Sequence, residues 1–139
     1  WQDKGQLDPA EEAMYPAMGI DRHVFTAGQL TFGIVICHEG WRYPETARWA
    51  VRRGAQVVFH PHASVAEPES YRPVTFADPA NTFHEKAVLC RAAENTCYFA
   101  SVNTPAKDQA LLLQSLDRTA RCCAISHMVG KASWWRTLI

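Results

Sequence analysis

The 139-residue sequence has no excess of charge of either sign: fourteen Lys and Arg residues balance fourteen Asp and Glu residues. No global field therefore recruits nucleic acid or an anionic membrane surface. No apolar run approaches the roughly 18 residues that a membrane span needs. There is no initiator methionine and no secretory leader at Trp1-Gln2-Asp3-Lys4, so the start reads as the interior of a longer chain. The five cysteines (Cys37, Cys90, Cys97, Cys122, Cys123) are odd in number and contain no Cys-x-x-Cys pair. That argues against a disulfide scaffold and for a reducing, cytoplasmic setting. Cys90 and Cys97 fall among apolar neighbours and are expected to be inert core thiols. What is present, 47% hydrophobic and 20% charged residues, suits one small packed domain or a piece of a larger one.

Residues 1–30 are polar and turn-rich, with Pro9, Pro16, Gly19 and Gly28, and are expected to form a loop-dominated approach. The continuous apolar run 32–36, bounded by Gly28 and Gly40, predicts a strand buried on both faces. Pro44 suits the first turn of a helix, with Glu45 at the positive end of its dipole and Gly54 as its stop. Ala47, Ala50 and Val51 form that helix's apolar stripe. A second strand is expected over 56–59, ending in His60-Pro61-His62. A long polar loop with Pro68, Tyr71, Arg72 and Pro73 follows over 63–77. Asp78-Pro79 reads as a helix start, with Phe83, Ala87 and Cys90 at core spacing and the helix running to about Asn95. A third strand over 97–102 ends at Asn103-Thr104-Pro105. Strand and helix alternate without a hairpin signal, which predicts an α/β layered sheet. Beyond it, Leu112, Leu116, Ala120 and Cys123 recur at helical spacing, and 126–139, with Trp134-Trp135, has no clear period.

Cys37 is the residue whose setting invites chemistry. It lies at the carboxyl end of a predicted buried strand, where open α/β sheets place their ligands. A thiol is only a few per cent thiolate at neutral pH and needs a base or a positive environment to act as a nucleophile. Position alone leaves a nucleophilic and a buried structural thiol equally open. Arg91 and Glu94, three apart on a helix, are expected to form a structural ion pair. Glu45 and Arg48 are expected to cap and brace theirs. His60 and His62, with His84 and Glu85, form the alternative of a zinc site, but their spacing is not a recognised ligand set.

Two motifs decide between these readings. Phe32-Gly-Ile-Val-Ile-Cys37-His-Glu39, followed by Tyr43-Pro-Glu45-Thr-Ala-Arg48 and Arg53-Gly-Ala55, resembles the nucleophile region of the nitrilase superfamily of carbon–nitrogen hydrolases. A later block, Arg91-Ala-Ala-Glu94-Asn95 through Asn103, resembles that family's following helix–strand unit. The resemblance spans residues 1–106, read as a partial hydrolase domain, and implies part of a four-layer α-β-β-α sandwich. It implies a hydrolase acting on an amide or nitrile through a cysteine nucleophile and an acyl-enzyme, with no metal or organic cofactor. Cys37 matches the nucleophile and Lys4 the catalytic lysine. Glu12 matches the supporting glutamate, chosen over the adjacent Glu11 on spacing alone. The His38 amide, next to the nucleophile, would be an oxyanion donor beside Lys4. His60 and His62 are expected to line the substrate pocket, with Trp41, Tyr43 and Tyr71 as further walls. The implied partner is a small-molecule substrate, and intact relatives are expected to be homo-oligomers.

The sequence departs from the family pattern twice. The family's first catalytic glutamate, its general base, is expected in an earlier part of the fold that this chain lacks. After Ala106 the family would continue into a hairpin with a Pro-Asp-Gly turn and an Ala-Asp-Ile-Asp ending, whereas residues 107–139 form an atypical tail. Codons can be chosen for this tail that spell such a turn and ending when read one nucleotide earlier, which suggests a frameshifted family ending. A catalytically inactive fragment or interaction piece is the alternative reading. In either case a sheet face left without its partner layer is expected to be apolar and exposed.

Overall fold

The computed structural model describes residues 1–15, 17–19, 21–64, 69, 71, 73, 75–81, 83–104, 113–116 and 122–126, the last two ranges as backbone strands. The expectations for Pro16, Pro68, Arg72, Pro105, Leu112, Ala120 and residues 127–139 lie outside the described residues.

A six-stranded sheet runs in sequence order. β1 (Val24–Ala27) and β2 (Leu30–Ile34) make an antiparallel hairpin, and β3 (Val57–His62) and β4 (Tyr98–Asn103) continue parallel to β2. β5 (Leu113–Leu116) and β6 (Cys122–Ser126) add antiparallel at the far edge. Between β2 and β3 lie α1 (His38–Arg42) and α2 (Pro44–Val51), and between β3 and β4 lies α3 (His84–Asn95). Parallel strands laid down one after another turn the chain in one sense. Right-handed crossovers then put both connecting helical segments on the same face.

That face holds the core: Val35, Ala47, Ala50, Val58, Val88, Ala92, Cys97 and Phe99 are buried together. Small residues on α2 let the helix lie close to the sheet. On the opposite face Phe25, Phe32 and Phe59 form a ladder, with successive ring centroids 5.4 Å apart, and Tyr98 and Val102 are exposed beside it. This mixed α/β layer pair is the arrangement expected for one half of a four-layer α-β-β-α sandwich.

Several local expectations are corrected. A hairpin is present: Ala27 pairs with Leu30 across Gly28 and Gln29, and Gly28 supplies the positive φ (60°) that the tight turn requires. α1, immediately after Cys37, is a short helix that the sequence did not signal, ahead of α2, which begins at Pro44 as expected. α3 begins at His84 rather than Asp78, where the Asp78 carboxylate accepts from the Ala80 amide (2.9 Å) and the Asn81 amide closes a local turn on the Asp78 carbonyl (3.0 Å). Cys90 is exposed, not a core thiol, while Cys97 is buried. The buried side of α3 carries Glu85, Val88, Arg91, Ala92 and Asn95, so polar residues shift its inward phase away from Cys90. In the tail, Leu116 and Cys123, read at helical spacing, fall instead on β5 and β6, so the sheet continues beyond residue 106.

Candidate active site

Cys37 stands between β2 and α1 in a sharp turn with φ 54° and ψ −116°. A non-glycine residue in such a conformation costs roughly 1–3 kcal/mol and persists only where its surroundings over-determine it. Here they do. The Cys37 amide donates to the Pro61 carbonyl (2.9 Å). Its carbonyl accepts from the His60 ring Nε2 (2.8 Å) and from the Gly40 amide (3.0 Å). Glu39, 1% exposed, accepts from the Ile36 amide (2.8 Å) through one carboxylate oxygen. Arg91 donates to the Gly40 carbonyl (3.1 Å) and the Trp41 carbonyl (2.8 Å). It also makes the expected pair with Glu94 (2.8 Å), so it braces α1 as well as its own helix. The His38 amide, first in α1, makes no backbone hydrogen bond among the described residues. It is the donor that the sequence assigned to an oxyanion.

The other oxygen of Glu39 reaches across to the N-terminal segment. It accepts from the Gly5 amide (2.7 Å) and lies 3.5 Å from the Arg22 guanidinium. One buried carboxylate thus joins the residue before Cys37 to the residue after Lys4. A second link runs from Asp8 to the His38 ring (2.9 Å), and His38 in turn leans on Tyr43. Lys4 pairs with Glu11, whose carboxylate also accepts from the Asp8 amide (2.8 Å). The hydrogen bond from Lys4 holds the Glu11 carboxyl below the usual carboxylate range.

The carboxylate beside Lys4 is therefore Glu11 and not Glu12, which is exposed. The turn at Asp8–Glu11, closed by the Glu11 amide on the Asp8 carbonyl (2.8 Å), selects between two adjacent acids that spacing cannot distinguish. Lys4, Glu11, Leu7, Tyr15, Met18 and Ile36 line an open cleft of about 480 Å³. Cys37 is not among its lining residues; the cleft reaches the Cys37 turn at Ile36.

The expected pocket walls fall elsewhere. His60 is 0% and Trp41 5% exposed, so His60 packs beneath α1 and Trp41 forms part of α1's own buried face. The Trp41 indole meets His60, His62 and His84 edge-on, with centroids 5.0, 4.8 and 4.6 Å away. Burial pushes the His60 imidazole down to about 4 and that of His62 to about 3, and lowers His84 as well. The zinc alternative is corrected on geometry. The Trp41 indole packs against all three rings, and both His60 nitrogens are engaged, one by Cys37 and the other by the Ser101 hydroxyl (2.9 Å). Tyr43 is partly buried against His38, and Tyr71 is exposed with its hydroxyl on Asp78. Glu39 and Ser101 carry structural roles that the sequence did not disclose. The only cue to Glu39 is an acid placed two residues after the cysteine.

No protein-family model matches the chain, and no curated protein matches it. Solved structures do share its fold. A cysteine-to-alanine mutant of the amidase from Nesterenkonia sp. AN1, in complex with butyramide, is 21% identical with a TM-score of 0.65 over 88% of this chain. Another structure of the same cysteine-to-alanine mutant, described as from the nitrilase superfamily, is 20% identical with a TM-score of 0.65. A glutamate-to-leucine mutant shows covalent addition of the acetamide moiety of fluoroacetamide at the active site cysteine, at 22% identity and a TM-score of 0.66. Each comparison covers 88% of this chain but only 44% of the solved one, so the chain spans less than half the length of the structures it matches. At these identities the likeness is one of fold.

Proposed function

We propose that this chain carries the nucleophile half of a carbon–nitrogen hydrolase acting on a small amide or nitrile, with Cys37 as nucleophile. The observation that carries the reading is the Cys37 turn: a strained, fully braced cysteine at a strand-to-helix junction, joined through Glu39 to the segment bearing Lys4. The fold shared with amidases, one bearing an adduct on its active site cysteine, supports it.

On an amide, the Cys37 thiolate forms a C–S bond with the carbonyl carbon, and the C=O electron pair moves onto oxygen. The Lys4 ammonium and the His38 amide hold that charge. The C–N bond then breaks, the nitrogen leaves with a proton as ammonia or an amine, and water hydrolyses the thioester to a carboxylic acid. Glu11 orients Lys4 in place of the Glu12 expected from spacing. No carboxylate hydrogen-bonds the Cys37 thiol among the described residues. In this reading the base that takes its proton comes from outside them.

That same observation favours one second reading, a chain that binds or reacts at Cys37 without turning over. Peptide mapping after treatment with limiting iodoacetamide at neutral pH tests the nucleophile. Cys37 is expected to be labelled stoichiometrically and faster than the exposed Cys90. Labelling only after denaturation would falsify the nucleophile reading. Ammonia release from short aliphatic amides then separates a turning-over enzyme from a reactive but idle thiol.

A further inference from the structure

The buried His60 is left without a role once it is removed from the pocket wall, yet it makes the most specific contact with the cysteine backbone. A carbonyl oxygen can only accept, so the 2.8 Å contact with the Cys37 carbonyl requires the proton to be on His60 Nε2. In a neutral ring Nδ1 is then an acceptor, and the Ser101 hydroxyl, 2.9 Å away, donates to it. His60 and Ser101 are register partners on the parallel strands β3 and β4, so the relay is built into the centre of the sheet. His60 is wholly buried, and burial keeps the ring neutral.

We infer that His60 is a positioning residue for Cys37: Ser101 fixes the tautomer of the His60 ring, and the ring's Nε2–H pins the Cys37 carbonyl and holds the nucleophile in its left-handed turn. Two further contacts give this relay a defined geometry. Gly40 lies flat on the imidazole, where a Cβ would stand 2.4 Å from His60 Cδ2 and Nε2. The Cys37 amide is held by Pro61, the residue following His60, so one strand end grips both sides of the cysteine. The inference rests on the reading of Cys37 as a nucleophile, because only a reactive thiol gives the alignment a consequence.

Two measurements on the full chain test it. Nitrogen NMR of histidine-labelled protein reads the tautomer directly, and the His60 ring is expected to be protonated at Nε2 and unprotonated at Nδ1 at neutral pH. An Nδ1–H tautomer removes the donor to Cys37 and overturns the proposal. The second measurement is the ratio of Cys37 to Cys90 alkylation rates by iodoacetamide, with Cys90 as internal reference. His60→Leu is expected to lower that ratio about tenfold or more, and His60→Gln, which can still donate to the carbonyl and accept from Ser101, to restore much of it. An unchanged ratio in His60→Leu overturns the positioning role. Should His60→Leu fail to fold, Ser101→Ala serves: it frees Nδ1 and is expected to lower both the Nε2–H population and the ratio, and a ratio equal to wild type counts against the relay. Wild-type Cys37 reacting no faster than Cys90, with the Nε2–H tautomer intact, would instead sink the nucleophile reading, so the two failures are distinguishable.

Discussion

The turn carrying Cys37 and the segment carrying Lys4 meet at one cleft but are held in different ways. Beneath Cys37 the holding groups are buried and come from three separate elements: His60 from β3, Arg91 from α3 and Glu39 from α1 itself. Around Lys4 they are few and part-exposed, with Glu11 28% and Asp8 43% exposed in side-chain terms. Among the described residues, the Gly5–Glu39 bond is the one that ties that segment to a buried side chain. Buried charge-assisted hydrogen bonds are strong and costly to break, whereas exposed ion pairs contribute about 0–1 kcal/mol. Cys37 is therefore fixed by the core of the domain. The lysine's position is set by a surface segment, and it is the part that loosens first.

Four changes sharpen or break this contrast. The largest effect belongs to Cys37→Ala, which is expected to abolish labelling in the 37–42 peptide and to lower any amide turnover by about a thousandfold or more. Retained turnover would move the chemistry to another residue. Next, Arg91→Met strips two carbonyls of a buried donor and is expected to cost about 3 kcal/mol in urea unfolding. A cost below about 1 kcal/mol would show that α1 is held by something else.

Acid should act on the buried side before the exposed one. His60 and His62 are buried neutral, with values pushed down to about 4 and about 3, while the unfolded chain binds their protons near 6.5. The unfolded state thus carries more protons over that window. Stability is fully present above about pH 7 and falls as pH drops from about 6.5 towards 4 and 3, by on the order of a few kcal/mol in total. Urea midpoints measured at pH 7.5, 6 and 5 check the sign, and a midpoint that rises on acidification contradicts it. The smallest effect separates two neighbours. Glu11→Gln should slow Cys37 labelling several-fold at a stability cost under about 1 kcal/mol, whereas Glu12→Gln should leave both within error. Equal effects from the two would undo the assignment of Glu11.

What the sequence disclosed, and what it hid, follows the same division. The apolar run before Cys37 and the proline at position 44 are local signals: α2 begins at Pro44 as expected, whereas β2 forms two residues earlier than the run 32–36, over Leu30–Ile34, and is mostly part-buried rather than buried on both faces. α1 has no periodicity to read: it is five residues long, contains a glycine, and is held by Arg91 from about fifty residues away. The phase of α3 was misread because Glu85 and Arg91 sit on its buried side, where a hydropathy pattern expects apolar residues. β1 is short and half exposed, and its hairpin with β2 was not read from the sequence, since Gly28 alone at the turn is a weak signal. As a candidate, Cys37 was legible because a motif carries it. Its lysine's true partner was not, because two adjacent acids differ only in how a turn presents them. Histidine and tryptophan at a strand end read equally well as pocket or scaffold until burial is known.

The contact between Gly40 and the His60 ring bears on how this site can change over time. With a histidine at 60, no side chain fits at 40, since even a methyl group would overlap the imidazole. If His60 is exchanged for a smaller residue, that prohibition lifts and alanine becomes admissible at 40. The two positions, twenty residues apart in the chain, are therefore not free to vary separately. A lineage that loses the ring can also lose the glycine, and one that keeps the ring must keep both.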